Sequence, residues 1–182
     1  MKILFLGYQD CRLLEFLSSQ YEVTQSMEKI SLKFIQKFDK VISFGYTHII
    51  KPDIINNVKD PIINLHISYL PYNKGCHPNF YSFLDKTPKG VTIHLIDKGI
   101  DTGDILIQKE IKFKIEEDTL KKTYDRLIKE IQDLFIANYI DILNNNIQLK
   151  PQKGEGTFHY RKDLEKYKKI LTEGWDTKIN NI

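Results

Sequence analysis

The sequence predicts an α/β fold in which helices flank a mainly parallel sheet. Two observations carry this expectation. Short apolar or β-branched runs recur from the first residues to about residue 113, with helical or turn-forming segments between them. The first run is apolar almost throughout, as a strand covered on both faces requires. That run, residues 2–8, ends near Gly7. Residues 11–19 then place Leu13, Leu14, Phe16 and Leu17 at helical spacing. Strands are expected over 22–26, 39–45, 61–67 and 90–97, the last two rich in β-branched residues. Residues 104–113 alternate more cleanly, as a strand with one wetter face does. The longest helix is expected from about Thr119 to Leu143, with Asp118 as its N-cap and Leu120, Leu127, Ile131 and Phe135 on one apolar stripe.

The elements up to residue 149 form one expected domain. Residues 150–182 read as a C-terminal arm, punctuated by Pro151, Gly154 and Gly156, with one amphipathic stretch at 163–171. Its aromatic residues Phe158 and Trp175 are its expected anchors, either on the domain or on a partner subunit in a homodimer.

Composition removes several classes of function. The chain has 182 residues, with 27 basic and 24 acidic side chains. The excess of three positive charges lies wholly in residues 150–182, so the body is neutral and offers no broad phosphate-binding face for nucleic acid. No apolar run approaches the roughly 18–20 residues that span a bilayer, and no segment resembles a secretory leader. Two cysteines, Cys11 and Cys76, are too few for a disulfide scaffold, and a reducing cytoplasm is the expected location. His48, His77 and His159 lack metal-ligand spacing, so no metal is expected. Neither a Gly-x-Gly-x-x-Gly turn, nor an NTPase phosphate loop, nor a Gly-x-Ser-x-Gly elbow is present.

The residues that carry chemistry fall in two loops. Asn64 and His66 stand two apart at a strand end, so both point to one face. The second cluster, Asp97 to Asp104, follows the strand at 90–97 and contains Asp101. An amide, an imidazole and a carboxylate brought together suit acyl transfer to an amine. The amide stabilises an oxyanion, the imidazole moves a proton or assists the oxyanion, and the carboxylate orients the ring. With no cysteine or serine placed for an acyl-enzyme, direct attack through a tetrahedral intermediate is expected. Each cluster alone reads more simply as turn chemistry, and His94 as a hydrogen-bonded core or supporting histidine.

Taken together, these segments resemble the formyltransferase family that uses 10-formyltetrahydrofolate. Asn64-Leu65-His66-Ile67-Ser68-Tyr69-Leu70-Pro71, Gly90-x-Thr92-x-His94 and Gly99-Ile100-Asp101-Thr102-Gly103-Asp104 match its motifs in order, over about residues 1–143. The resemblance implies a Rossmann-like domain with Asn64, His66 and Asp101 as the catalytic trio. It implies a folate pocket walled by Phe44, Gly45, Tyr46, Ile49 and Ile50 on one side, with Asp97, Gly99 and Ile100 opposite. The acceptor would meet Tyr69, Asn73, Lys74, Gly75, His77 and Pro78. Lys74, Arg161 or Lys162 would meet a nucleotide diphosphate, and aromatic residues of 77–83 would stack on its base or line the sugar, with Phe80 and Phe83 equally suited to the core.

Within the family, the likeness is greatest to small bacterial nucleotide-sugar N-formyltransferases. The expected acceptor is therefore the amino group of a nucleotide-linked amino sugar, with the product feeding surface polysaccharide. The alternatives are phosphoribosylglycinamide formyltransferase of purine synthesis and a non-catalytic folate-binding protein. The division of roles between His66 and Asn64 stays open at this point.

Overall fold

The computed structural model describes residues 1–116 and 118–182. Its strands are β1 (Lys2–Gly7), β2 (Glu22–Ser26), β3 (Lys40–Phe44), β4 (Ile63–His66), β5 (Lys74–Gly75), β6 (Gly90–Leu95), β7 (Ile105–Glu110) and β8 (Phe158–His159). Its helices are α1 (Arg12–Gln20), α2 (Leu32–Ile35), α3 (Pro52–Ile55), α4 (Pro78–Leu84) and α5 (Leu120–Leu143). Six strands form the central sheet in the order β2–β1–β3–β4–β6–β7, and β5 pairs with β8. β1 runs parallel to β2 and β3, and β3 to β4, whereas β6 is antiparallel to both its neighbours. The sheet is mainly parallel, as expected, with one reversed strand. Composition does not reveal the reversal, because a β-branched run suits either direction.

β1 shows why its sequence is a solid apolar run. Ile3 and Phe5 join the core with Leu13 and Leu17 of α1 and Leu127, Ile131 and Phe135 of α5. Leu4 and Leu6 turn to the other face, beside Ile35 of α2 and Ile54 of α3. A sheet covered on both faces needs apolar side chains at every position. Each fully buried one contributes about 1.5–3 kcal/mol.

Several local expectations are corrected. Thr119, not Asp118, caps α5; its Oγ1 accepts from the Lys122 amide at 3.3 Å. Most of residues 77–83 lie in α4, with Pro78 in its first turn, and the burial of Phe80, Tyr81 and Phe83 in a third cluster selects the core reading of this segment. A seven-residue helix is too short to show a period.

The arm folds back on its own domain. Lys150 exchanges two backbone hydrogen bonds with Ile105, β8 lies beside β5, and Lys178 bridges to Thr119. The 163–171 stretch is a 3-10 helix over Arg161–Tyr167, and Leu164, Tyr167 and Leu171 pack on the α4 cluster. Ile179 is 4% exposed there, whereas Trp175 and Phe158 remain 48% and 38% exposed. The apolar tip of the arm is therefore its anchor, and the two aromatic residues are not.

Candidate active site

Asn64 and His66 lie on β4, where strand period two aims both at Asp101. The Asp101 carboxylate accepts from the Gly75 amide at 2.8 Å through Oδ2 and from Asn64 Nδ2 at 3.3 Å through Oδ1. His66 Nδ1 stands 3.6 Å from Oδ2 and His94 Nε2 stands 3.5 Å from Oδ1. The three residues expected to act together are thus in one cluster.

The surrounding bonds fix ring and amide orientations. His94 Nδ1 lies 2.8 Å from the Leu95 carbonyl, which only accepts, so this nitrogen carries the proton. Nε2 is then free to accept from Asn64 Nδ2 at 3.1 Å. His94, directly opposite Asn64 in the β4–β6 register, orients the amide. By the same reasoning His66 Nε2 donates to the Asn73 carbonyl at 3.0 Å, leaving Nδ1 as the ring atom that faces Asp101.

Burial alone would push the Asp101 carboxyl up. The opposing charge of His66 and the hydrogen bond from the Gly75 amide outweigh it and hold the group well below the usual carboxylate range. The unfolded carboxyl titrates at about 3.9. The folded chain therefore binds fewer protons than the unfolded one on the acid side, and stability rises with pH there. The contribution is fully present above the unfolded value and is lost as pH falls through the folded one. Urea unfolding should show the stability difference between the wild type and Asp101→Asn holding steady above about pH 5 and narrowing as pH falls below about 4; a difference indifferent to pH contradicts this.

Two further features hold the aspartate. Gly75 has φ +86°, and a Cβ there would strike the carbonyl of His159 on β8, so only glycine lets this amide reach the carboxylate. Asp101 itself has φ +53°, an uncommon conformation for a residue with a side chain. Gln152 of the arm donates through Nε2 to the carbonyls of Asp101 at 2.8 Å and Gly103 at 2.9 Å. The Lys150–Ile105 pairing brings it there. The sequence places this residue in the tail segment that resembles sugar N-formyltransferases but shows no role for it, since its partners are backbone carbonyls about fifty residues away. Gln152→Ala is expected to lower turnover about tenfold and stability by about 1–2 kcal/mol. Gln152→Glu should be worse, because it sets a carboxylate against two carbonyls. Steady-state kinetics with both variants at wild-type rates would exclude a role for the clamp.

A cleft of about 800 Å³ opens over the trio. The expected folate residues Phe44, Gly45, Tyr46, Ile49 and Ile50 all line it, as do Asp97, Gly99 and Ile100. Phe44 is nevertheless a core side chain, meeting Tyr8 edge to face at 4.8 Å. Ile49 is the opposite case, 79% exposed on the wall. Of the expected acceptor residues, Gly75, His77 and Pro78 line the cleft, but Tyr69, Asn73 and Lys74 do not. Asn73 is wholly buried, its amide donating to Thr87 at 2.8 Å, so its part is the carbonyl offered to His66. Lys74 contributes backbone to the β5–β8 pair. Cys76, directly after β5, also lines the cleft. Tyr8, Tyr124 and Arg161 also line it, with the Tyr8 and Tyr124 hydroxyls 2.7 Å apart. Among the described residues no cluster of three or more His, Cys, Asp or Glu could hold a metal ion, and no helix is long and apolar enough to cross a membrane.

An open α/β sheet that gathers an amide, an imidazole and a carboxylate under one cleft has the form of a group-transfer site. The family model described as "Formyl transferase" matches residues 14–138, and the chain belongs to that family. The crystal structure of the formyltransferase PseJ from Anoxybacillus kamchatkensis, in complex with UDP-4,6-dideoxy-4-formamido-L-AltNAc and tetrahydrofolate, matches with a TM-score of 0.94 and 46% identity. That match covers 100% of this chain and 97% of the other. A 4-N formyltransferase from Francisella tularensis matches with a TM-score of 0.78 and 27% identity, over 93% of this chain and 79% of that one. The dTDP-4-amino-4,6-dideoxyglucose formyltransferase of Mycobacterium tuberculosis (strain ATCC 25618 / H37Rv) is 28% identical over 138 residues, 76% of this chain. The chain spans 58% of the length of that curated relative.

Proposed function

We propose that this chain is an N-formyltransferase that moves a formyl group from 10-formyltetrahydrofolate to the amino group of a nucleotide-linked amino (dideoxy) sugar. The observation that carries the reading is the convergence of Asn64, His66 and Asp101 within 3.6 Å contacts under one cleft. The full-length likeness to a formyltransferase solved with a formamido sugar nucleotide and tetrahydrofolate supports it. The cleft suits a flat folate head. Gly45, at φ +74°, exposes backbone, and Ile49 and Ile100 offer apolar faces.

In the reaction, the acceptor nitrogen bonds to the formyl carbon, the bond from that carbon to folate N10 breaks, and tetrahydrofolate leaves with a proton on N10. The amine loses one proton, so no redox partner is needed. Negative charge gathers on the formyl oxygen during attack. The Asn64–Asp101 contact is the longer of the two Asn64 bonds, and that N–H is the one that turns to hydrogen-bond the oxygen. Asp101 stays ionised and attracts the ammonium proton, while His66 Nδ1 lies beside it to pass the proton on. Of the two cations on the cleft wall, Lys98 and Arg161, Arg161 is the one assigned to the acceptor's diphosphate.

A cytoplasmic location, a homodimeric state and delivery of the product to surface polysaccharide such as O-antigen or lipopolysaccharide belong to the same proposal. Incubation with 10-formyltetrahydrofolate and UDP- or dTDP-linked 4-amino-4,6-dideoxyhexoses should yield a product heavier by one CO. Folate binding without product on any amine would instead support the folate-binding alternative.

A further inference from the structure

The C-terminal arm meets the catalytic cluster through more than Gln152. Backbone bonds lace residues 157–159 to the segment between Pro71 and Cys76. The Thr157 amide donates to the Pro71 carbonyl at 3.3 Å, the Lys74 amide to the Thr157 carbonyl at 3.0 Å, and the Cys76 amide to the His159 carbonyl at 2.9 Å. The laced segment carries the two backbone groups that hold catalytic side chains, the Asn73 carbonyl on His66 and the Gly75 amide on Asp101.

Asn73 is the joint between the two. It is wholly buried and stands at φ +57°, and its amide, carbonyl, Oδ1 and Nδ2 are all hydrogen-bonded. Nδ2 donates to Thr87 at 2.8 Å, and the carbonyl accepts from His66 Nε2 at 3.0 Å. The other two groups both meet the Thr157 hydroxyl, which accepts from the Asn73 amide at 2.7 Å and donates to Asn73 Oδ1 at 3.3 Å. A residue with a side chain keeps a left-handed conformation only where its surroundings hold it there. One hydroxyl, 84 residues along the chain, supplies two of the bonds that do so.

The His66 ring lies between the Asn73 carbonyl at Nε2 and the Asp101 carboxylate at Nδ1, and both of these only accept. A neutral ring has one proton for the two. With the carbonyl in place the proton stays on Nε2, and Nδ1 keeps the lone pair that receives a proton. Without the carbonyl, Asp101 draws the ring proton to Nδ1 and closes that atom to proton transfer. We propose that Thr157 is a positioning residue for the reaction: by gripping Asn73 it holds the carbonyl that keeps His66 Nδ1 open. The inference rests on the formyl-transfer reading of the main cleft and adds how the arm serves it.

Thr157→Val keeps the shape and removes the hydroxyl, whereas Thr157→Ser keeps the hydroxyl. Thr157→Val should lower kcat about tenfold with KM for both substrates within about twofold of wild type, and Thr157→Ser should restore most of the loss. Added to His66→Ala, Thr157→Val should lower kcat no further, because no ring remains to be placed. Nitrogen-15 spectra, in buffer alkaline enough for neutral rings, should show the His66 proton on Nε2 in wild type and on Nδ1 in much of Thr157→Val. His66→Ala assigns that signal among the five histidines. Wild-type kcat in Thr157→Val, an equal loss in Thr157→Ser, a further loss in the His66→Ala background or an unmoved ring proton overturns the assignment. So does loss of 5-formyltetrahydrofolate binding in Thr157→Val, which would make the residue a folding element alone. Absence of formyl transfer by wild type, with the ring proton moving as expected, would retain the positioning and reject the proposed reaction, so the two failures are distinguishable.

Discussion

Asp101→Asn is expected to lower the turnover of formyl transfer by about a thousandfold or more while the fold survives. The substitution is nearly isosteric, so the Gly75 amide keeps an acceptor and Gln152 keeps its two carbonyls. What disappears is the charge. The carboxylate is held ionised beside Asn64, His66 and His94, and no other carboxylate contacts His66 or Asn64 in this cluster. Without it the nitrogen that has attacked as a neutral amine, and carries positive charge in the tetrahedral intermediate, has no anion to draw off its proton, and His66 Nδ1 loses the partner that sets its orientation. The defect should fall on kcat, with folate and nucleotide affinities within a few-fold of wild type, because Asp101 acts during bond formation rather than in holding either ligand. Kinetics under saturating conditions for both substrates check this.

Asn64→Ala is expected to cost about 3 kcal/mol of transition-state stabilisation, or roughly two orders of magnitude in turnover. The amide is positioned before substrate arrives, with one N–H fixed on His94 Nε2 and the other turned to Asp101 at 3.3 Å. A donor already aimed need not reorganise as charge develops on the formyl oxygen. Asn64→Asp is the informative companion: it retains size but brings a second carboxylate against Asp101, so it should be at least as inactive. Comparable turnover in Asn64→Ala and the wild type would assign the oxyanion to another donor.

Much of this was legible in the sequence, for physical reasons. β1 is apolar throughout because helices cover both of its faces, and α5 displays its period over 24 residues. The trio was legible because Asn64 and His66 obey strand period two and because Asp101 lies in a recognisable Gly-rich segment. What escaped depends on the chain meeting itself at long range. Gln152 reaches a loop 51 residues away, and Asn73 works through its backbone carbonyl, which no side-chain pattern reports. The reversal of β6 leaves no mark on a β-branched strand, and α4 is too short to show periodicity. Phe80 reads equally as a ligand-stacking or a core aromatic until the fold is seen to bury it beside Tyr81.

The most direct measurement of the central claim is product formation by wild-type protein and Asp101→Asn from 10-formyltetrahydrofolate, offered nucleotide-linked amino sugars, glycinamide ribonucleotide and methionyl-tRNA in parallel. The account predicts a formamido sugar nucleotide as the sole product with wild type, and almost none with Asp101→Asn. Formylation of glycinamide ribonucleotide or methionyl-tRNA alone, or equal rates for the two proteins, would contradict it.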